Sequence, residues 1–341
     1  MARLTIIMVT WNSAHWLPGG LGSLRQQKFK DYFLQVVDNA SGDGSVGVVN
    51  EFFPEARMLR NFRNVGFCRA VNQGIRLARS EYILLLNPDV ILQRNCLEEL
   101  VAFADAHPQA GSFGPKLLRQ AGNFSEAFDE EGSHFAPVFD STGLSMNRRR
   151  LPKNRGEGLG DTGERYSGPE QVFGVSGACA LYRRKTLDDV AIAGQYMDED
   201  FFAYKEDADI AWRLRLRGHE IWYVPSAVAY HVRQVRQSLG IGRRWLSRRQ
   251  VPRLLKILSA KNQYLMVIKN EQRKNFLRDS IHFVAYSLAN LLLSITVEPF
   301  LWRAWVQGVR QFSSARTKRQ VIQRNARVTP EAIRAWFINK N

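Results

Sequence analysis

Apolar residues over the first third of the chain fall in short runs that alternate with stretches of helical spacing. Leu4–Thr10, Phe33–Asp38, Arg57–Leu59 and Tyr82–Leu86 are compact and rich in Val, Ile, Leu, Phe and Tyr, which predicts strands. Between and after them, Leu17–Gln26, Ser45–Phe53, Phe67–Ala78 and Cys96–His107 repeat apolar positions three and four apart, which predicts helices. Such alternation predicts an α/β fold with a mostly parallel sheet flanked by helices. Ligands of these sheets bind beyond the carboxyl ends of the strands. That directs attention to Thr10-Trp11-Asn12, Asp38-Asn39 and Asn87-Pro88-Asp89.

From Leu117 to Gln171 the pattern dissolves into Gly, Ser, Asn, Arg and Glu, and the stretch predicts a long loop or lid that orders over a substrate. Secondary structure is expected to resume at Val172–Leu181. An acidic segment follows, then a helix to about Arg217 stopped by Gly218, and a strand over Glu220–Val224. Further on, Phe283–Val297 is fifteen residues without a charge, short of the roughly 20 a spanning helix needs. His282, Tyr286, Asn290, Ser294 and Glu298 draw a narrow polar stripe along it. Such a helix suits a membrane interface or packing against the core. Thr329-Pro330-Glu331 then reads as the N-cap and first turn of a last helix.

Charge divides the chain in two. Residues 1–240 hold 28 basic and 28 acidic side chains, whereas 241–341 hold 20 basic against four acidic ones. The whole net charge of +16 therefore sits in the tail. We expect a catalytic domain over residues 1–240 and a basic helical tail over 241–341. Cys68, Cys96 and Cys179 match neither a disulfide framework nor paired zinc spacing, and the apolar run Leu4–Val9 is too short for a signal peptide. Both point to a cytoplasmic protein.

Chemistry is concentrated in a few segments. Asp38, at a strand end before the turn to Ser45, is placed to accept a base N–H, although Asp38, Asp43 and Ser45 equally suit a turn and helix cap. Asp89 projects at the end of an apolar strand, where one hard carboxylate suits Mg²⁺ or Mn²⁺ shared with phosphates, or simply shapes an Asn-Pro-Asp turn. Six carboxylates crowd Asp198–Asp209 with Phe201, Phe202 and Tyr204 among them. Acids at a helix start explain Asp207 or Asp209; a carboxylate-lined pocket with a general base explains the aromatics as well. His231 follows the last strand as a structural histidine or a metal ligand. Neither a P-loop nor a dinucleotide fingerprint is present, which disfavours ATP hydrolysis and hydride transfer.

Taken in order, Thr10-Trp11-Asn12, the Asp38–Ser45 turn, Asn64–Gly74, Leu84–Asp89, Gly177-Ala178-Cys179 and Asp198–Asp209 resemble the inverting glycosyltransferases of family 2, in their rhamnosyltransferase-like branch. The resemblance implies a GT-A fold that binds a nucleotide diphosphate sugar, dTDP- or UDP-linked. It places Thr10 and Asp38 near the base and Asn64 and Gly66 in the nucleotide pocket, with Asn12 and Asn87 also among the nucleotide-sugar-binding residues. Asp89 takes the metal position; Asn87 stands where many relatives have a first acid, which makes His231 a second ligand. Asp207 takes the place of the catalytic base, with the adjacent Glu206 as the alternative. Gln195 departs from the family's second Gly, so sugar specificity is not carried over there.

The expected reaction is transfer of L-rhamnose from dTDP-L-rhamnose to a polyprenyl-diphosphate-linked or polysaccharide acceptor in cell-surface polysaccharide synthesis. The basic tail is expected to hold the enzyme peripherally on the anionic inner face of the cell membrane, each Lys or Arg contributing about 1 kcal/mol. Its charge-free run favours lipid over nucleic acid. The alternatives are a family 2 transferase using a UDP-sugar (galactofuranose or N-acetylhexosamine), a nucleotidyltransferase, disfavoured because no Gly-rich triphosphate loop lies near the first strand, and a noncatalytic adaptor on the same fold.

Overall fold

A computed structural model describes residues 2–119, 138–232 and 251–338. Its elements in chain order are β1 (Leu4–Thr10), α1 (Leu17–Arg25), β2 (Tyr32–Asp38), α2 (Ser45–Phe52), β3 (Arg57–Arg60), α3 (Phe67–Leu77), β4 (Tyr82–Leu86), β5 (Val90–Leu92) and α4 (Cys96–Ala106). There follow β6 (Ala110–Arg119), β7 (Val138–Ser141), β8 (Leu144–Met146), β9 (Pro152–Asn154), β10 (Glu170–Gln171), β11 (Cys179–Arg183), α5 (Arg184–Val190), α6 (Glu206–Leu216) and β12 (Glu220–His231). The tail contributes α7 (Arg253–Asn270), α8 (Arg273–Thr296), α9 (Trp302–Arg324) and α10 (Pro330–Ile338).

The strands β3, β2, β1 and β4 lie side by side and parallel, as the alternating pattern predicts. Beyond β4 the sheet is mixed. β11 runs antiparallel to both β4 and β6, and β12 returns parallel to β6. Alternate residues of each central strand feed opposite faces. Leu4, Ile6, Met8, Leu84 and Leu86 pack under α1, α2 and α4, while Ile7, Ile83 and Leu85 face α3, α6 and the tail.

The predicted loop over 117–171 is in part structured; its residues 120–137 lie outside the described residues. β7 pairs with β6, β8 with β9, and β10 with β12. These strands are two to four residues long and polar, too short to show a periodicity. Arg150, from the triple-arginine run, is buried: it bonds Glu271 and Asp279 (3.1 Å) and lies over the Phe337 ring. β12 also outruns the predicted Glu220–Val224. Its register shifts between Val224 and Val228, a bulge around Pro225, and it then continues to His231.

The tail packs on the body. Leu265, Met266 and Val267 of α7 and Ile333 and Phe337 of α10 share the core with Trp212 and Phe201. Thr329 caps α10 as expected, its Oγ1 accepting from the Ala332 N–H at 3.3 Å. The polar stripe on α8 faces inward. Ser294 meets Trp305 Nε1 at 3.4 Å, and the neighbouring Glu298 meets Lys256 at 2.7 Å. No single described helix is long and apolar enough to cross a membrane; α8 and the segment Pro299–Arg324 pass that test only as a pair bent by 120°.

Candidate active site

The carboxyl edge of the sheet gathers most of the residues singled out in the sequence. Asp38 ends β2 fully buried. Its carboxylate accepts from Thr10 Oγ1 at 2.9 Å and from the Ser41 N–H at 3.1 Å, so it shapes the turn. Asn12, at φ 51°, accepts from the Gly42 N–H at 2.9 Å and ties the loop after β1 to the same turn. Trp11 and Phe62, past the ends of β1 and β3, are 57% and 106% exposed.

Asn64 Oδ1 accepts from the Gly66 N–H at 2.9 Å, and Gly66 opens α3 at φ 89°. A Cβ there would sit 2.6 Å from the Phe202 ring and 2.8 Å from its carbonyl oxygen, so only glycine fits. Phe202 begins a strained passage: it, Tyr204 and Lys205 all have positive φ, directly before α6. The Asn64–Gly66 turn and the acidic segment therefore touch.

His231 is brought to Asp89 by strand register. It pairs with Val90 across β12 and β5, which sets its Nε2 3.5 Å from Asp89 Oδ2. Its Nδ1 lies 2.9 Å from Oδ2 of Asp140, a fully buried carboxylate on β7. Asp140 belongs to the segment predicted as a loop and was not foreseen. Burial disfavours the His231 imidazolium, but hydrogen bonds and charge from Asp140 and Asp89 raise it to about 9. His231 is thus held between two carboxylates, Asp140 on Nδ1 and Asp89 facing Nε2. Among the described residues no group of three His, Cys, Asp or Glu is arranged for a metal, so an ion held by Asp89 and His231 would have to complete its ligands from outside the chain.

The acidic run divides by partner. Asp198 and Asp209 hold the buried Lys269 between them (Asp209 at 3.0 Å), Lys318 bridges Asp198 and Asp200 (2.6 Å to the latter), and Arg69 meets Glu199 at 3.4 Å. Basic residues of the tail thus neutralise acids that the sequence suggests line a pocket. Glu206 and Asp207 remain. Asp207 Oδ2 accepts from the Gly177 N–H at 3.3 Å and Oδ1 from the Ala208 N–H at 2.7 Å. Ala178 in turn accepts from the Asn87 N–H at 2.9 Å, so Asn87 at its strand end and Asp207 are joined through Gly177-Ala178. Glu206 keeps Oε2 buried without a hydrogen-bond partner and acts on the Cys68 thiol of α3, whose pKa is raised by burial first. Burial raises the carboxyls of both Glu206 and Asp207. It pushes the neighbouring Lys205 ammonium down to about 8. Gln195 bonds the Glu199 N–H at 3.3 Å and so caps a turn.

The sequence model of Glycosyl transferase family 2 matches residues 5–191, more than half the chain. The chain belongs to that family. This glycosyltransferase is 27% identical over 240 residues to the N-acetylglucosaminyl-diphospho-decaprenol L-rhamnosyltransferase of Mycobacterium tuberculosis (strain H37Rv), covering 67% of this chain and 75% of that one. Its fold resembles S. aureus TarS 1-349 (TM-score 0.54, 16% identity, 98% of this chain and 91% of that one). It also resembles the mannosyltransferase PcManGT of Pyrobaculum calidifontis, solved with GDP-Man and Mn²⁺ (TM-score 0.52, 14% identity, 98% and 86%). The fold is thereby the GT-A α/β fold, with C-terminal helices added.

Proposed function

We propose that this enzyme transfers L-rhamnose from dTDP-L-rhamnose to a polyprenyl-diphosphate-linked sugar, with inversion, at the inner face of the cell membrane. Residues 1–240 would supply the catalytic body and 241–341 the membrane-side element. The observation that carries the chemical reading is the connection of Asn87 to Asp207 through Gly177-Ala178, with the Asp89–His231 pair at the same sheet edge. The donor and acceptor rest on the similarity to the mycobacterial rhamnosyltransferase.

In this reading Thr10 and Asp38 hold the base, with Asn12 fixing the turn; Asn64 and Gly66 line the nucleotide, and Asn87 meets the donor. Asp89 and His231 would hold a divalent ion, Mn²⁺ or Mg²⁺, which supplies positive charge to the departing diphosphate. With its pKa raised to about 9, His231 carries a proton on both nitrogens at neutral pH in the absence of an ion; a bound ion would displace the Nε2 proton, while Asp140 accepts from Nδ1 and orients the ring. Asp207 accepts the proton of the acceptor hydroxyl as that oxygen bonds to the anomeric carbon and the carbon–phosphate oxygen bond breaks. The Gly177 and Ala208 amides hold the carboxylate in position, which favours Asp207 over Glu206.

Thermal unfolding with dTDP, UDP, GDP and ADP, each with and without Mn²⁺, tests the donor. Ligand at about 100 times its dissociation constant adds roughly 2.7 kcal/mol. A Mn²⁺-dependent shift with dTDP, followed by rhamnose transfer to a polyprenyl-diphosphate acceptor, supports the proposal. A shift with UDP alone would replace the donor with a UDP-sugar, and none with any nucleotide would favour the adaptor.

A further inference from the structure

The tail presents its outer face the wrong way round for a helix in water. On α8 the polar stripe is turned inward, and Leu277, Ile281, Val284, Leu288, Leu292 and Ile295 are between 46% and 74% exposed. They recur every three or four residues and so line one face for the whole helix. On α9, Trp302, Val306 and Val309 continue the exposed apolar surface beyond the bend. Arg273 stands four residues before Leu277 on the same stripe, and Arg316 seven after Val309. Each helix therefore carries one outer face that is apolar near the bend and basic at its far end.

The basic ends meet. Arg273, Arg316, Arg319, Gln320 and Gln323 line an open cavity of ≈ 380 Å³ with no carboxylate among them. Lys274 and Arg278 nearby are matched by Glu331 at 2.6 and 3.0 Å, but Arg273 and Arg316 have no ion pair or hydrogen bond among the described residues. Arg319 donates to the Ile268 carbonyl at 2.7 Å, which fixes its guanidinium at the cavity wall. Burial lowers its pKa and the charge of Arg273 lowers it further, against a smaller opposing effect of Glu271, which is itself paired with Arg150. Arg273 also begins α8, whose first turn has no acid, adding the positive end of the helix dipole.

We propose that Arg273, Arg316 and Arg319 form a binding cleft for the phosphate group of an anionic membrane lipid, at the base of an apolar wedge that α8 and α9 insert into one leaflet. Lipid, and not soluble phosphate, is the occupant because the faces that carry the arginines run on without interruption into the exposed apolar stripes. The cleft sets the wedge at headgroup depth, since guanidiniums stay with phosphates while Leu, Ile and Trp enter the acyl region. The inference rests on the membrane-bound reading of the tail and is independent of the donor, the metal and the base.

Co-sedimentation of the full chain with phosphatidylcholine vesicles, plain or doped with phosphatidylglycerol, tests it. Arg273→Gln/Arg316→Gln removes the two arginines without protein partners and leaves the fold; Arg310→Gln/Arg324→Gln removes equal charge elsewhere on α9. The cleft variant is expected to lose at least about tenfold more affinity for doped vesicles than the charge-matched control. Ile281→Ser/Leu288→Ser is expected to weaken binding to both vesicle types. Equal losses in the two arginine variants would overturn the cleft while leaving membrane attachment by diffuse charge intact. Undiminished binding by the serine variant would overturn the wedge, and no binding by the wild-type chain would overturn the membrane reading itself. Inorganic phosphate that stabilises the wild type but not the cleft variant, without vesicle binding, would overturn the lipid assignment.

Discussion

Replacing Lys269 with methionine removes the cation on which the tail and the acidic segment close. Its ammonium is fully buried between Asp198 and Asp209, themselves almost inaccessible. Taking away one partner of a buried pair costs about 3–5 kcal/mol, because the remaining charge stays out of water without compensation. Lys318 still reaches Asp198, and Arg213 (3.1 Å) and Asn270 (2.7 Å) still reach Asp209, so the lower end, about 3 kcal/mol, is expected. At roughly 2 °C per kcal/mol for a chain of this length, Tm falls by about 6 °C. Burial opposes ionisation of Asp198, but Lys269 and Lys318 outweigh it and hold the carboxyl below its ordinary range. A carboxyl depressed in the folded state stabilises fully above its unfolded pKa, about 3.9, and that stability is lost as pH falls toward the folded value. The wild-type and Lys269→Met melting points should thus differ by a constant amount from about pH 5 to 8 and converge in stronger acid. Adding Asp198→Asn should cost less in the variant than in the wild type, since it neutralises an orphaned charge. Equal melting points at pH 7, or strictly additive losses, would refute the reasoning and leave the tail a loosely attached appendix.

Other outcomes follow from the site. Gly66→Ala forces a Cβ against Phe202 at a left-handed φ, a cost of about 2–5 kcal/mol, and should weaken nucleotide-induced stabilisation as well as lower Tm. Asp140→Asn should raise the Mn²⁺ concentration needed for half-maximal activation by about 10- to 100-fold, with turnover restored at saturating ion; an unchanged metal titration would remove Asp140 from the site. Because burial raises the Asp207 carboxyl and the base acts ionised, kcat should rise with pH through an acid limb lying above the ordinary aspartate range. A flat profile from about pH 4 upward would contradict that placement.

The parallel half of the sheet was legible because β1 and β4 are uninterrupted apolar runs and the helices between them have clear spacing. Thr10, Asp38, Asn87 and Asp89 followed, since a strand end is a position that sequence alone specifies. Asp140 was not legible: it sits on a four-residue strand in a polar segment, and only the bulged register of β7 against β6 brings it to His231. The acidic run misled in part for a related reason. Lys269 and Lys318, the partners of Asp198, Asp200 and Asp209, lie 60 or more residues away, and charge counting assigned them to a solvated tail. Likewise the stripe on α8 was visible, but which side faces the protein depends on the packing of α7 and α9.

Single-turnover transfer by Asp207→Asn, measured beside nucleotide binding in the same preparation, tests the central claim most directly. Loss of a general base predicts a fall in turnover of about 10²- to 10⁴-fold with donor affinity unchanged, as the carboxylate acts in the transition state. Wild-type turnover with Asn at position 207 would contradict the account and move the proton acceptor to Glu206 or elsewhere.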